Sequence, residues 1–378
     1  MFDYETLRIF TWAIVGILLI GFAIADGFDM GVAALLPVAG KTNLERRVMI
    51  NIIAPHWDGN QVWLVTAGGA IFAIWPAIYA TAFSSFYLAL VLVLAALWLR
   101  PLAMDYRNKI DNDRWRQVCD ISLTVSGIVP PLVFGVGFGN LFTGVPYTLN
   151  AFLMISYQGG FWDLFTTLPI ICGLVAVTMT LLQGATFLQL KTTGALRNRA
   201  QRIAVWSACA SLALFIVGGL FAAQSDGYII QSLMNKNGVS NPLTKTVTVM
   251  ENGLLHNFVD SPALFIVPLT ASIMLLLSAI LSMAKQAGSA FLCSSLAVLA
   301  IILTAGSALF PMIIPSSLNP SHSLTLWDAT SSYKTLSIIS IVAIVVVPII
   351  LGYTSWCYYK MFGRIDNRFI EENTTSLY

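Results

Sequence analysis

Long apolar segments constrain the fold of this chain more than any other feature of the sequence. A helix needs about 20 apolar residues to cross the roughly 30 Å hydrocarbon layer of a membrane. Such segments run approximately over 9–36, 49–77, 79–100, 118–140, 162–190, 202–223, 260–283, 288–313 and 335–359. Backbone groups cannot stay unpaired in lipid, and no segment alternates in strand-like units of ten residues. The sequence therefore predicts an all-α polytopic membrane protein with nine transmembrane helices, the second kinked at Pro55.

Composition supports this class and excludes others. The chain has 57% hydrophobic and only 10% charged residues, whereas soluble domains average about 25% charged residues. Its net charge of +2 is too small to indicate nucleic-acid binding. The 5 cysteines contain no CxxC pair, so they predict neither a disulfide framework, a zinc site nor attached haem.

The distribution of basic residues predicts the orientation. Of the 20 Lys and Arg residues, all but Arg8, Lys236, Lys245 and Lys334 fall on one side of the predicted spans. Basic residues are enriched on the cytoplasmic side of membranes, which predicts the N-terminus outside and the C-terminus inside. The longer outer connections are then 141–161, 224–259 and 314–334.

The spacing of the spans suggests how they are grouped. We expect one integral membrane domain over 1–378, with two four-helix bundles and one peripheral helix. A first bundle over 1–141 contains the intramembrane acids, 162–359 contains the remaining five spans, and 360–378 forms a cytoplasmic tail.

Three acids at membrane depth are the strongest functional signal. A charge at the centre of a spanning helix costs about 2.5–3.5 kcal/mol, yet Asp26, Asp29 and Asp58 lie within predicted spans. Counting along the helices from the inner surface puts Asp29 and Asp58 at a similar depth, about 16 Å inside. Asp26 and Asp29 are three residues apart and so share one helix face, which we expect to point into the protein.

Nearer the inner surface this series of charged residues continues with Arg100, Asp105 and Asp120. Carboxylates at graded depth can pass protons through hydrocarbon, which predicts a proton path. The same residues could instead form Asp–Arg pairs and helix caps that lock the bundle or a partner interface. Both interpretations remain open from the residues alone.

A haem or metal site in this chain is not expected. A membrane haem usually needs axial His, or His with Met, at membrane depth. His56 is the one histidine within a span, since His256 and His322 fall in outer connections. Trp63 lies about one and a half turns beyond Asp58, too deep for an interface anchor. It could gate an apolar passage or simply pack in the core.

Several segments together resemble a known family. They are GFAIADGFDMG (21–31), MINIIAPHWDGNQVWLVTAGGAIFAIWP (49–76), LRPLAMDYRNK (99–109), LTLWDATSSYKTL (324–336), SWCYYKMFGRI (355–365) and the terminal TTSLY. The chain resembles subunit 2 of the bacterial cytochrome bd ubiquinol oxidases from end to end.

This resemblance implies a subunit of an inner-membrane complex that oxidises ubiquinol and reduces dioxygen to water. Two b-type haems and one haem d are expected in the partner, subunit 1. The resemblance implies that Asp58 and Asp105 lie on a proton path, and that Trp63 lies on an oxygen route. It also implies that Asp29, Arg100 and Asp120 support the haem site at the partner interface. Some members of the family contain a structural ubiquinone. Whether small single-helix accessory subunits are also present is left open by the sequence.

Two other functions remain as alternatives from the residues alone. A proton-coupled secondary transporter would also have intramembrane acids and Gly-rich spans, but it should repeat them in both halves. Here the acids lie almost wholly in the first four spans. A purely structural assembly subunit would differ only in that its acids move no protons.

Overall fold

The computed structural model describes residues 3–365 and residue 370, and within them the chain is predominantly helical. The helices are α1 Tyr4–Ala34, α2 Leu36–Ala39, α3 Asn43–Ile53, α4 Trp57–Ile74, α5 Pro76–Ser85, α6 Tyr87–Tyr106, α7 Asp113–Thr143, α8 Thr167–Lys191, α9 Gly194–Ala223, α10 His256–Asp260, α11 Ile266–Met283, α12 Ala287–Leu309 and α13 Tyr333–Lys360. The strands are β1 Tyr147–Leu149, β2 Ile155–Tyr157, β3 Gly227–Ile230, β4 Val247–Met250, β5 Met312–Ile314 and β6 Leu324–Thr325. Most of the predicted tail 360–378 lies outside the described residues.

Within the described residues, 8 helices are long and apolar enough to cross a membrane. They are α1, α6, α7, α8, α9, α12, α13 and α11 with the 3₁₀ turn Pro262–Phe265 that precedes it. This confirms an all-helical protein with multiple membrane-spanning helices.

The predicted second span, 49–77, differs from the structure. It is divided into α3 and α4 by a turn over 54–56, rather than kinked within one helix. Pro55 explains the break, because it lacks the backbone N–H that would continue the helical hydrogen bonds of α3. The remaining 18-residue α4 is not among the eight apolar helices, and its first turns contain Asp58, Asn60 and Gln61.

The predicted third span, 79–100, also has different limits. Helix α5 ends at Ser85, and α6 begins at Tyr87 and continues six residues beyond Arg100 to Tyr106. The helix can include Arg100 because this side chain has a buried ionic partner, described below.

Eight helices form two groups. In one, α8 packs against α9 and α12, and α11 packs against the same two helices, which closes a ring. In the other, α1 packs against α4 and α7, while α6 packs against α7. Helix α1 also packs along α8 and so connects the groups. A Cβ on Gly31 would lie 2.1 Å from the Thr180 carbonyl oxygen, so glycine is required for this close approach.

Helix α13 lies at the edge of the first group. It packs against α1 and α4, and Leu336 and Ser340 are its only buried residues. Most of its apolar surface therefore faces away from the rest of the chain.

The three connections predicted on the outer side meet at one end of the helices. Each contains a two-stranded antiparallel hairpin: β1–β2, β3–β4 and β5–β6. The backbone N–H of Val145 donates to the carbonyl of Pro315 at 2.9 Å, which joins the first connection to the third. The connections thus form one cap.

Two buried cations hold this cap. Arg8 donates to Thr330 Oγ1 and Ser240 Oγ, both at 2.9 Å, and so fastens the start of α1 to two connections. Lys245 Nζ lies 2.7 Å from Asp328 Oδ2, with both side chains buried. Burial lowers the pKa of Lys245, and the charge of Asp328 opposes that effect.

Candidate functional site

Asp26 and Arg100 form an ion pair inside the first helix group. Arg100 NH1 lies 2.5 Å from Asp26 Oδ1 and NH2 lies 3.5 Å from Oδ2. Neither side chain is exposed to any extent. The pair fastens α1 to α6, and the full burial of Asp26 and Asp29 confirms that this face of α1 points into the protein.

Asp29 lies in the same interior but contacts a neutral partner. Asn60 Nδ2 donates to Asp29 Oδ2 at 2.6 Å and to the Ala25 carbonyl at 3.2 Å. The Tyr358 hydroxyl in turn donates to Asn60 Oδ1. This short network joins α1, α4 and α13 at the depth of the intramembrane acids.

Asp120 belongs to a separate network nearer the end of the helices that bears Lys41 and Arg46. Arg107 Nε lies 2.6 Å and Arg46 NH1 2.8 Å from its carboxylate oxygens. Arg107 also donates to Asn43 Oδ1 at 2.8 Å. These contacts lock α3, α6 and α7 together, as the interpretation of Asp–Arg pairs predicts.

Asp29, Arg100 and Asp120 are therefore buried within this chain: Asp29 and Arg100 are fully enclosed, and Asp120 is 4% exposed. A side chain in that position cannot touch a group held by another subunit. The support for a haem site that the resemblance implies would have to act through the helices that these residues fasten.

Asp58 differs from the other intramembrane acids because it is exposed. It lies in the first turn of α4, where the helix dipole favours a carboxylate. Among the described residues its carboxylate has neither a hydrogen bond nor an ion pair. The exposed face of α4 continues from Asp58 along small and apolar residues, namely Gly59, Val62, Val65, Gly69 and Phe72. We call these six residues the Asp58 face.

Asp105 is also exposed, in the last turn of α6. Its basic neighbours point elsewhere: Arg107 turns inward to Asp120, and Lys109 Nζ lies 4.7 Å from the centre of the Tyr106 ring. The acids thus divide into buried residues with partners and two exposed residues. The structure does not bring Asp58 and Asp105 into direct contact.

Trp63, on α4, packs against α1 and is 7% exposed. Its ring lies against Gly21, where a Cβ would approach Trp63 Cε3 to 2.6 Å. Phe22 and Met30 belong to the same apolar cluster. The side chain is therefore part of the core, and Phe22 and Met30, which pack with it, line the cavity described next.

An apolar cavity of about 530 Å³ lies between the two helix groups. Phe22, Met30 and Leu64 line it on the side of Trp63, and residues of α7 to α12 complete it. Thr180, Ser272 and Thr304 are the hydroxyl-bearing residues in its lining among the described part of the chain. Its size falls within the usual range for small-molecule sites, about 300–1,000 Å³.

His56 is buried in the turn between α3 and α4. Its ring centre lies 4.8 Å from that of Tyr358 and 6.5 Å from that of Phe28. The imidazole is thus packed by aromatic side chains of its own chain.

Sequence reasoning missed Asn60 and Tyr358. Asn60 is a polar residue at membrane depth two positions after Asp58, a signal that was available. Tyr358 is 298 residues further along the chain, and tyrosine near a span end is normally an interface anchor. Only the packing of α13 against α1 and α4 identifies it as a partner of Asn60.

Comparison with known proteins gives a consistent result. Residues 7–361 match the family model described as cytochrome bd terminal oxidase subunit II. The chain is 50% identical over its full length to a probable cytochrome oxidase subunit 2 of Haemophilus influenzae. It is 49% identical, again over the whole of both chains, to cytochrome bd-I ubiquinol oxidase subunit 2 of Escherichia coli.

More distant proteins agree. The cytochrome bd ubiquinol oxidase subunit 2 of Bacillus subtilis is 31% identical over 94% of this chain and 96% of its own. A chain in the structure of the bd oxidase from Geobacillus thermodenitrificans has the same fold, with a TM-score of 0.63. It covers 95% of this chain and 100% of its own at 13% identity. By sequence and by fold, the chain belongs to the family of cytochrome bd terminal oxidase subunit II.

Proposed function

We propose that this chain forms the proton and dioxygen access routes of a cytochrome bd ubiquinol oxidase, on the face where it meets a haem-bearing subunit 1. As a family member it is a multi-pass protein of the bacterial cytoplasmic membrane and part of a quinol:O₂ oxidoreductase complex. The proposal assigns the two b-type haems and haem d to subunit 1, so that no haem ligand comes from this chain.

One observation carries this proposal: an unpaired carboxylate on an apolar helix surface. A carboxylate at membrane depth is costly when it faces lipid, and Asp58 has no partner within the described residues. The Asp58 face also contains Gly59 and Gly69, and neither has a neighbouring atom within 4 Å of its Cβ direction. Small residues let another helix approach closely, so this face suits a protein partner rather than lipid.

Cysteine labelling tests whether subunit 1 covers the Asp58 face. Val65→Cys, whose residue is 71% exposed, should react with a membrane-permeant maleimide in the chain alone and be protected in the assembled complex. Leu292→Cys on α12, where the native residue is 60% exposed, is the matched control and should react in both. Both are made in a background without the native cysteines. Equal labelling of Val65→Cys in the two states would show that this face meets lipid.

In the proposed proton route, Asp105 collects protons at the inner surface and Asp58 passes them into the interface between the two subunits.

The proposed orientation has the N-terminus outside, with the three hairpins in the outer cap. The nine spans comprise the eight apolar helices together with α4. The proposed bundles are α1, α4, α6 and α7 within 1–141, then α8, α9, α11 and α12 within 162–359, with α13 as the peripheral helix. This grouping is supported by the packing of the helices.

In the proposed oxygen route, dioxygen enters the apolar cavity from lipid and passes Trp63 toward subunit 1. Trp63→Leu opens space beside Gly21 and should change the rate of oxygen binding at the partner's haem by several fold, with the affinity for quinol unchanged. Trp206→Leu on α9, where the tryptophan is 77% exposed, is the control. Flash photolysis of the carbon monoxide adduct in the presence of oxygen measures the rate of oxygen binding in each variant. Identical rates of oxygen binding in the two variants would show that the oxygen route does not pass Trp63.

The same cavity suits a structural ubiquinone. Its apolar lining fits an isoprenoid chain, and Thr180 supplies a hydroxyl group that can donate to a quinone ring oxygen, whereas the hydroxyl groups of Ser272 and Thr304 donate to carbonyls of their own helices. A bound quinone would fill the space between the helix groups and stabilise their packing. The proposal does not require it to react. Small single-helix accessory subunits would pack against the exposed surface of α13.

The match to the oxidase family decides against a proton-coupled transporter. The assembly-only alternative differs in whether Asp58 handles protons, which the first experiment of the Discussion addresses.

A further inference from the structure

At the depth of Asp26 and Asp29, the interior of the first helix group holds two carboxyl groups and one guanidinium group. Arg100 directs NH1 and NH2 to the two oxygens of Asp26. Asp29 has the neutral amide of Asn60 as its hydrogen-bond donor. Among residues 3–365, no Lys or Arg other than Arg100 forms an ion pair with either acid. If both carboxyl groups were ionised, this closed site would carry one unbalanced negative charge.

The second carboxyl oxygen of Asp29 makes an ionised form of this residue still less favourable. Asp29 Oδ1 is buried and has no hydrogen-bond partner in the described chain. An ionised carboxylate with an unpartnered oxygen, away from water, is far less stable than a neutral carboxyl group in the same place. Since Asp26, Asp29 and Arg100 are all fully buried, bulk solvent cannot reach these side chains to screen the charge.

We propose that Asp29 carries a bound proton in the folded protein, so that Asp26, Asp29 and Arg100 together are electrically neutral. The proton occupies Oδ1, and Oδ2 is the carbonyl oxygen that accepts from Asn60. This is a proton-binding site inside the chain, distinct from the exposed Asp58. Because it is closed on every side, Asp29 retains its proton during turnover and does not relay it. The proposal is independent of the proposed access routes.

The remaining ionisable groups around this cluster do not supply the missing positive charge. Tyr358 on α13 donates its hydroxyl hydrogen to Asn60, and Cys357 is its neighbour in sequence. His56 packs on the Tyr358 ring, and Lys191 of α8 donates to the Met361 carbonyl at 2.9 Å. Asp58 adds a further acid two residues before Asn60.

Infrared spectroscopy of the assembled complex tests the proposal. Neutral carboxylic acids have a carbonyl stretching band separate from that of carboxylates, and labelling of aspartate with ¹³C assigns it to this residue type. Asp29→Asn should abolish one such band. Asp26→Asn should abolish the same band, because Arg100 is then free to pair with Asp29 and ionise it. Asp58→Asn should leave the band in place.

A further variant keeps the proposal testable if Asp29→Asn does not assemble. Asn60→Leu removes the hydrogen bond to Oδ2 and should move the band to higher frequency without abolishing it. The proposal is overturned if the aspartic acid bands of Asp29→Asn match those of the wild type. A band that neither shifts in Asn60→Leu nor disappears in Asp26→Asn would overturn it as well. A band that changes when the haems are reduced would contradict proton retention.

Discussion

Asp58→Asn is expected to slow quinol oxidation by about a hundredfold, the lower range for losing a positioned acid–base group, while the complex keeps its haems. Asparagine preserves the size and shape of the side chain but cannot carry the transferred proton. Asp58 has no partner within the described chain, so the substitution breaks no internal contact and should not disturb folding. Asp58→Glu retains a carboxyl group and should recover part of the rate.

Turnover and proton uptake by the purified complex measure this effect. Asp111→Asn is the control, because Asp111 lies on the surface with its side chain 96% exposed and should behave as the wild type. Normal turnover and uptake in Asp58→Asn would exclude the relay. Loss of the haems in this variant would instead make Asp58 a structural residue at the subunit interface.

Arg100→Leu is expected to prevent assembly or to lower the thermal stability severely. Removing one partner of a buried ion pair costs about 3–5 kcal/mol because the other charge stays buried and unpaired. Here Asp26 would lose its counterion beside Asp29, in a site that bulk solvent cannot reach. Arg100→Lys keeps the charge but loses the two-point contact with Asp26, so it should have an intermediate effect.

Arg116→Leu is the matched control for this prediction. Arg116 pairs with Asp111 and Asp113, whose side chains are at least 90% exposed, and surface ion pairs contribute about 0–1 kcal/mol. Thermal unfolding of the detergent-solubilised complex, followed by size-exclusion chromatography, compares the two variants. Equal stability of Arg100→Leu and Arg116→Leu would show that the buried pair does not hold α1 to α6.

The apolar segments of the sequence were enough to predict the class of fold, because a membrane allows few alternatives for a chain of this composition. They did not predict that 49–77 is divided between α3, α4 and the start of α5. A hydropathy pattern averages over a break of three residues, and only the backbone shows that Pro55 separates α3 from α4. The extension of α6 past Arg100 depended on a partner in α1 that the local sequence does not contain.

The environment of each acid was predictable in part. The spacing of Asp26 and Asp29 indicated a shared interior face, and their burial confirms it. The exposure of Asp58 depends on how α4 is rotated against α1 and α13, which no local pattern encodes. The same holds for the cavity, whose lining comes from helices far apart in the chain.

An absorption spectrum of the purified chain, alone and with subunit 1, tests the central claim most directly. The account predicts no Soret band for the chain alone, because His56 is its one histidine within a predicted span and is packed by Tyr358 and Phe28. It predicts the full haem spectrum when subunit 1 is present, and the same spectrum when His56→Ala replaces the wild-type chain. A stoichiometric Soret band from the chain alone, lost in His56→Ala, would contradict the account.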